Sequence, residues 1–180
     1  MGNFIALLRG INVSGQKQIK MADLKTSFEV LGSSNVQTYI QSGNVVFSYN
    51  NSQTKNLEKL IEKKILEDYG FQVPTIVLKS EEWNTIMHSN PFLKESGNKT
   101  EKLYLTILSE EPSDENLKQL HRDEFAPDAF VIDGKNIYLY LPNGYGRTKL
   151  NNNYFENKLK VTATTRNWKT VKKLSEFIHE

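Results

Sequence analysis

Cysteine is absent from the 180 residues, histidine occurs three times and proline five times. Without cysteine there is no disulfide framework, no thiolate metal site and no thiol nucleophile. The histidines, His88, His121 and His179, are too far apart to form an H-E-x-x-H pair on one helix face. Long apolar runs are missing as well. The longest, such as Phe4–Leu8, are strand-sized and fall far short of the ~18 residues of a membrane-spanning helix. The opening residues Met1-Gly2-Asn3-Phe4-Ile5-Ala6 lack the basic segment and cleavage site of a secretory leader. Ala6 also stands where a myristoylation signal carries Ser or Thr. The expectation is a cytoplasmic protein with no metal, no cofactor and no membrane partner.

What is present is enough apolar surface for a core, 38% hydrophobic and 11% aromatic residues, in a repeated order of elements. Residues 3–9 read as a buried strand. Met21, Leu24, Phe28 and Leu31 recur at helical spacing before Gly32. Val36–Ile40 and Val45–Tyr49 read as strands joined around Ser42-Gly43-Asn44. A helix follows with Thr54 as its cap and Gly70 as its stop, then a strand over Val73–Leu78 and a short helix opened by Ser80-Glu81-Glu82. The second half repeats the order. Leu103–Leu108 is a strand, and Pro112-Ser113-Asp114-Glu115 opens a helix bearing Leu117 and Leu120. Phe130–Ile132 and Ile137–Leu141 flank the hairpin signal Asp133-Gly134. A helix near 150–159 and a strand at Val161–Ala163 precede the last helix. The fold class is therefore α/β (α+β), two ferredoxin-like βαββαβ modules, each followed by an extra helix. The first module spans residues 1–90 with its trailing helix, the linker 91–101, and the second module 102–180.

Three stretches carry candidate chemistry. The loop Arg9-Gly10-Ile11-Asn12-Val13-Ser14-Gly15-Gln16-Lys17 has P-loop glycine spacing, but its lysine comes one position late and no magnesium-binding hydroxyl follows. A nucleoside triphosphatase is excluded. Arg9 and the loop N–H groups suit an anion; the other reading is a surface loop whose Arg9 pairs with a carboxylate. Ser42-Gly43-Asn44 is a turn first, with polar side chains lining a pocket as the alternative. Thr164-Thr165-Arg166-Asn167-Trp168 is read as the start of the last helix, where free N–H donors favour anions and an arginine conflicts with the dipole. The alternative makes Thr164 or Thr165 the N-cap, with Trp168 in the core. Against an RNA-recognition strand, Ser42–Tyr49 lacks the basic residue and two of the stacking aromatics. Glu81-Glu82 and Glu110-Glu111 are explained by helix capping, not metal binding.

Charge is unevenly placed under a net of +2. Residues 142–180 hold eight basic and three acidic side chains, whereas residues 91–141 hold six and ten. The basic segment includes Lys149 and Arg166, with Tyr145, Tyr154 and Trp168 between the charges.

Three linked motifs resemble a known family. They are Leu8-Arg9-Gly10-Ile11-Asn12-Val13 with Met21-Ala22-Asp23-Leu24, then Thr38-Tyr39-Ile40-Gln41-Ser42-Gly43-Asn44-Val45, then Ala163-Thr164-Thr165-Arg166-Asn167-Trp168 with Thr170-Val171. Together with Tyr145-Gly146-x-Thr148-Lys149-Leu150, where x is unassigned in the motif, they are similar to the bacterial domain-of-unknown-function 1697 family, with Ser14 where the family tends to have glycine. The resemblance implies two ferredoxin-like modules and no stated activity. It marks the residues already selected: Arg9, Asn12, Ser42, Asn44, Lys149, Thr165, Arg166 and Asn167. The functional expectation is a small anionic ligand, phosphate-bearing or nucleotide-like, held in a cleft between the two modules. The alternatives are a single-stranded nucleic-acid binder using Lys169, Lys172 and Lys173 with exposed sheet aromatics, and a protein-interaction module without a small ligand. No catalytic residue is nominated.

Overall fold

A computed structural model describes residues 1–50, 53–95 and 99–179. The first half runs β1 (Gly2–Leu8), α1 (Met21–Val30), β2 (Ser34–Tyr39), β3 (Asn44–Tyr49), α2 (Thr54–Tyr69), β4 (Thr75–Lys79) and α3 (Ser80–His88). The second runs β5 (Leu103–Leu108), α4 (Asp114–Leu117), β6 (Ala129–Asp133), β7 (Asn136–Tyr140), α5 (Asn152–Leu159), β8 (Ala163–Asn167) and α6 (Trp168–His179). Each half builds one antiparallel sheet, ordered β2-β3-β1-β4 in the first and β6-β7-β5-β8 in the second. Interleaved βαβ units of this kind are the split-βαβ arrangement. The fold is thus α+β, two similar modules each followed by an extra helix. By compactness the chain divides into Met1–Thr85 with the segment from Lys173 onward, and Ile86–Lys172, so the divisions fall inside α3 and α6.

In the first unit the strand period of two sends Phe4, Ala6 and Leu8 to the helix-covered face and Ile5 and Leu7 to the other, and all are buried. Phe47 joins them, 5.7 Å from the Phe4 ring and 5.1 Å from that of Phe28 on α1. Each of these Leu, Ile and Phe side chains contributes about 1.5–3 kcal/mol by leaving water. The second unit repeats the layer with Phe130 on β6 against Phe155 on α5, rings 5.7 Å apart. On its opposite face Tyr138 donates to the Ile86 carbonyl at 2.9 Å. Burial first, and then the charge of Asp133, push this phenol up to about 12, so it stays protonated.

Both modules use glutamates to satisfy the outermost strand next to their second helix. Glu58 and Glu62 of α2 accept from the Val77 and Thr75 N–H groups of β4, at 3.1 and 2.8 Å. Glu156 of α5 accepts from the Ala163 N–H of β8 at 3.0 Å. An edge strand with its donors occupied is a poor template for pairing with another chain.

Some expectations shift. Thr54 is the first helical residue of α2, and its cap position is Gln53. The helix expected to carry both Leu117 and Leu120 ends at Leu117, after Ser113 caps it by accepting from the Asn116 N–H. Ser96-Gly97-Asn98 of the expected linker lies outside the described residues; its flanks, Pro91–Lys94 and Thr100–Lys102, are short 3-10 turns. The largest change is at 163–167. The expected helix start is strand β8, with Thr165 paired to Thr106 and Arg166 to Leu105. Consecutive β-branched threonines favour the strand. The helix begins one residue after Asn167, whose Oδ1 accepts from the Thr170 N–H at 2.8 Å.

α1 and α2 are clasped by one carboxylate. Asp68 accepts from Lys64 Nζ at 2.6 Å and from Ser27 Oγ at 2.6 Å, and these bonds, that of Lys64 first, hold its pKa below the ordinary 3.8. A lowered folded-state pKa contributes stability above the unfolded value that is lost as pH falls through the folded one. Asp68→Asn is expected to reduce stability at neutral pH and to flatten the decline below pH 3.8. Acid titrations of denaturant midpoints test this, and a decline as steep as the parent's would contradict it.

Candidate functional site

Four of the sequence-selected residues gather at one corner of the first unit, where the loop after β1 meets the β2–β3 turn. The loop folds back on itself because Gly10, Asn12, Ser14, Gly15 and Lys17 all take positive φ. Ile11 and Ile19 pin its two ends into the core. Between them Asn12 acts as a clamp. Its Nδ2 donates to the Ile19 carbonyl at 2.9 Å and to the Gln41 carbonyl at 2.8 Å, while its Oδ1 accepts from the Ile19 N–H at 2.9 Å. Both amide protons and one acceptor site are therefore committed to backbone. Three of the loop N–H groups are committed too. Arg9 donates to the Pro74 carbonyl, Asn12 to Lys17 and Gln16 to Val13.

The turn is built the same way. Asn44, fully buried, donates to the Tyr39 carbonyl at 2.9 Å and to Ser42 Oγ at 3.0 Å. These bonds span Ile40, an exposed β-branched residue held at φ 48°, which few such residues adopt. Gly43 carries the closest approach. At φ 78° its carbonyl accepts from the Leu8 N–H, and a Cβ there would lie 2.7 Å from Leu8 Cβ and 2.8 Å from Ile11 Cδ1. Only glycine fits both the conformation and the space.

In the second unit Thr165 and Arg166 occupy β8. Thr165 Oγ1 lies 2.7 Å from Thr106 Oγ1 and donates to Asn152 Oδ1 at 2.6 Å, tying the strand to the start of α5. Arg166 is 7% exposed, and its Nη1 donates to Thr164 Oγ1 at 2.7 Å and to the Thr165 carbonyl at 3.0 Å. Lys149 stands apart from this strand, in an open groove of ≈ 450 Å³ that also takes in Arg147, Asn143, Glu124, Asp128 and Phe125. Asp128 accepts from Thr148 Oγ1 at 2.6 Å, which orients its carboxylate. Arg147, Asn143 and the two acids had no motif of their own; the available signal was their closeness to Lys149 in a basic segment.

None of the aromatic side chains is fully exposed, and Phe47, within the stretch compared with an RNA-recognition strand, is core. Among the described residues no group of three His, Asp or Glu side chains could hold a metal ion, and no helix is long and apolar enough to cross a membrane.

A family model described as "Protein of unknown function (DUF1697)" matches residues 1–138, which include the β1 loop and the β2–β3 turn. The chain belongs to the DUF1697 family. Its Tyr145–Leu150 and Ala163–Val171 motifs lie beyond the matched residues. Among solved structures, this DUF1697 chain is similar to the conserved bacterial protein SP0830 from Streptococcus pneumoniae, with 21% identity over 98% of each chain and a TM-score of 0.70. That likeness speaks for the fold. A comparison with curated proteins finds no match.

The corner yields a prediction about stability. Asn12→Ala removes three bonds, two of them part-buried at Ile19, and Gly43→Ala forces a backbone shift. Each is expected to lower unfolding free energy by about 2–4 kcal/mol. Urea midpoints read this, and a loss under about 0.5 kcal/mol, the usual range for an ordinary surface position, would remove either residue from the framework.

Proposed function

We propose that this DUF1697 protein binds a small phosphate-bearing, nucleotide-like ligand in the groove of its second unit. The observation that carries the reading is the composition of that groove, with Arg147, Lys149 and Asn143 as donors beside Asp128 and Glu124 as acceptors in ≈ 450 Å³. A guanidinium offers a planar fork to two phosphate oxygens and an ammonium adds a point charge. The carboxylates repel a bare phosphate but accept well from the hydroxyls of a sugar, as acidic residues do in dinucleotide sites. The combination favours a sugar phosphate over inorganic phosphate. Its volume suits a ligand of that size. In this reading Lys149 touches the ligand, whereas Asn12, Asn44 and Thr165 hold backbone and strands in place.

Ribose 5-phosphate is the probe. At about 100 times Kd it is expected to raise the melting temperature by roughly 5 °C. The rise should vanish in the double variant Arg147→Ala, Lys149→Ala, whose positions are exposed, and inorganic phosphate should have little effect. No shift in the parent, or an equal shift in the variant, would refute the reading.

A further inference from the structure

A second groove, of ≈ 390 Å³, lies wholly within the first unit and is lined by a different chemistry. Asn3 and Ser48 face each other across β1 and β3. On β2 the register slips between Ser34 and Gln37, and Asn35 takes φ 51°. In an unbroken strand the side chain next to Ser34 would point to the far side of the sheet. The bulge instead brings Asn35 onto the same row. Asn35 Nδ2 then donates to Ser48 Oγ at 3.3 Å, and Ser48 Oγ donates to Asn3 Oδ1 at 2.8 Å.

This relay has a direction. It leaves Asn35 Oδ1 as an acceptor at one end and Asn3 Nδ2 as a donor at the other, while the Gln37 carboxamide beside them bonds no described residue. One wall is the ring of Phe177 from α6, held edge-on by Tyr39 at 6.0 Å and covered on a face by Lys173 Nζ at 4.8 Å. The rim charges cancel, because Lys25 pairs with Glu29 at 3.8 Å. Paired donors and acceptors on carboxamides match the edge of a nucleobase, adenine above all, whose adjacent N–H and ring nitrogen take an Asn or Gln side chain bidentately. An aromatic wall suits a flat ring, and the absence of net charge disfavours an anion.

We infer that the groove between Asn3, Asn35 and Gln37 binds a neutral nucleobase, with adenosine as the representative ligand. The site is independent of the groove proposed for phosphate esters, and a ligand without phosphate separates the two.

The test is a two-dimensional amide NMR titration of the full chain with adenosine, with ribose 5-phosphate and glycylglycine amide as comparisons. Adenosine is expected to move the side-chain NH2 signals of Asn3, Asn35 and Gln37 together, and neither comparison compound should. Asn35→Gly removes the carboxamide at a position where glycine accepts the positive φ, and Gln37→Leu removes the second carboxamide while keeping an apolar stem in the strand. Each is expected to weaken adenosine binding tenfold or more with an otherwise unchanged spectrum. No movement with millimolar adenosine, movement with the dipeptide amide instead, or unchanged affinity in both variants would overturn the assignment.

Discussion

The side chain of Asn12 is the point on which the first unit turns. One carboxamide joins three backbone positions, two at Ile19 and one at Gln41, and so fixes a loop with five left-handed residues against a hairpin turn. Nothing else in the loop repeats at a structural period; its apolar anchors are Ile11 and Ile19. Without the clamp the backbone of residues 13–18 would depend on the Asn12 N–H bond to the Lys17 carbonyl, the Val13–Gln16 bridge and the Lys17 contact with Gln72. Gly43 then lets the turn approach Leu8 closely enough to hydrogen bond. Polar residues of this kind resemble ligand donors in a sequence, because both tasks need the same groups. Geometry distinguishes them: a clamp's protons point at carbonyls of its own chain.

The same distinction runs through the second unit. Thr165 and Arg166 are held by strand neighbours and by the start of α5. The donors that face an open groove are Arg147, Lys149 and Asn143. In this unit the framework groups and the groove-facing groups are thus largely different residues. This separation is favourable for a binding protein, since its exposed groups can be exchanged without unfolding the support beneath them.

Much of the fold was legible because the periodicities are strong. Phe4, Ala6 and Leu8 alternate with Ile5 and Leu7, and the αL stop at Gly70 ended α2 where glycine was expected. Less was legible where one residue type serves two purposes. Thr164-Thr165 looks like a cap because hydroxyls cap helices, but β-branching won and the capping fell to Asn167. The bulge at Asn35 had no local signal, since asparagine is as common in ordinary turns. For the same reason the row formed by Asn3, Ser48 and Asn35 was invisible. Its members are far apart in sequence and only the register of three strands aligns them.

Hydrogen exchange of side-chain carboxamides distinguishes Asn12 and Asn44, which hold the framework, from Asn143 and Gln37, which face solvent. The NH2 protons of Asn12 and Asn44 are expected to exchange at least tenfold more slowly than those of Asn143 and Gln37. Exchange at one common rate for all four would contradict this, because protons bonded to backbone carbonyls cannot exchange as freely as those in an open groove.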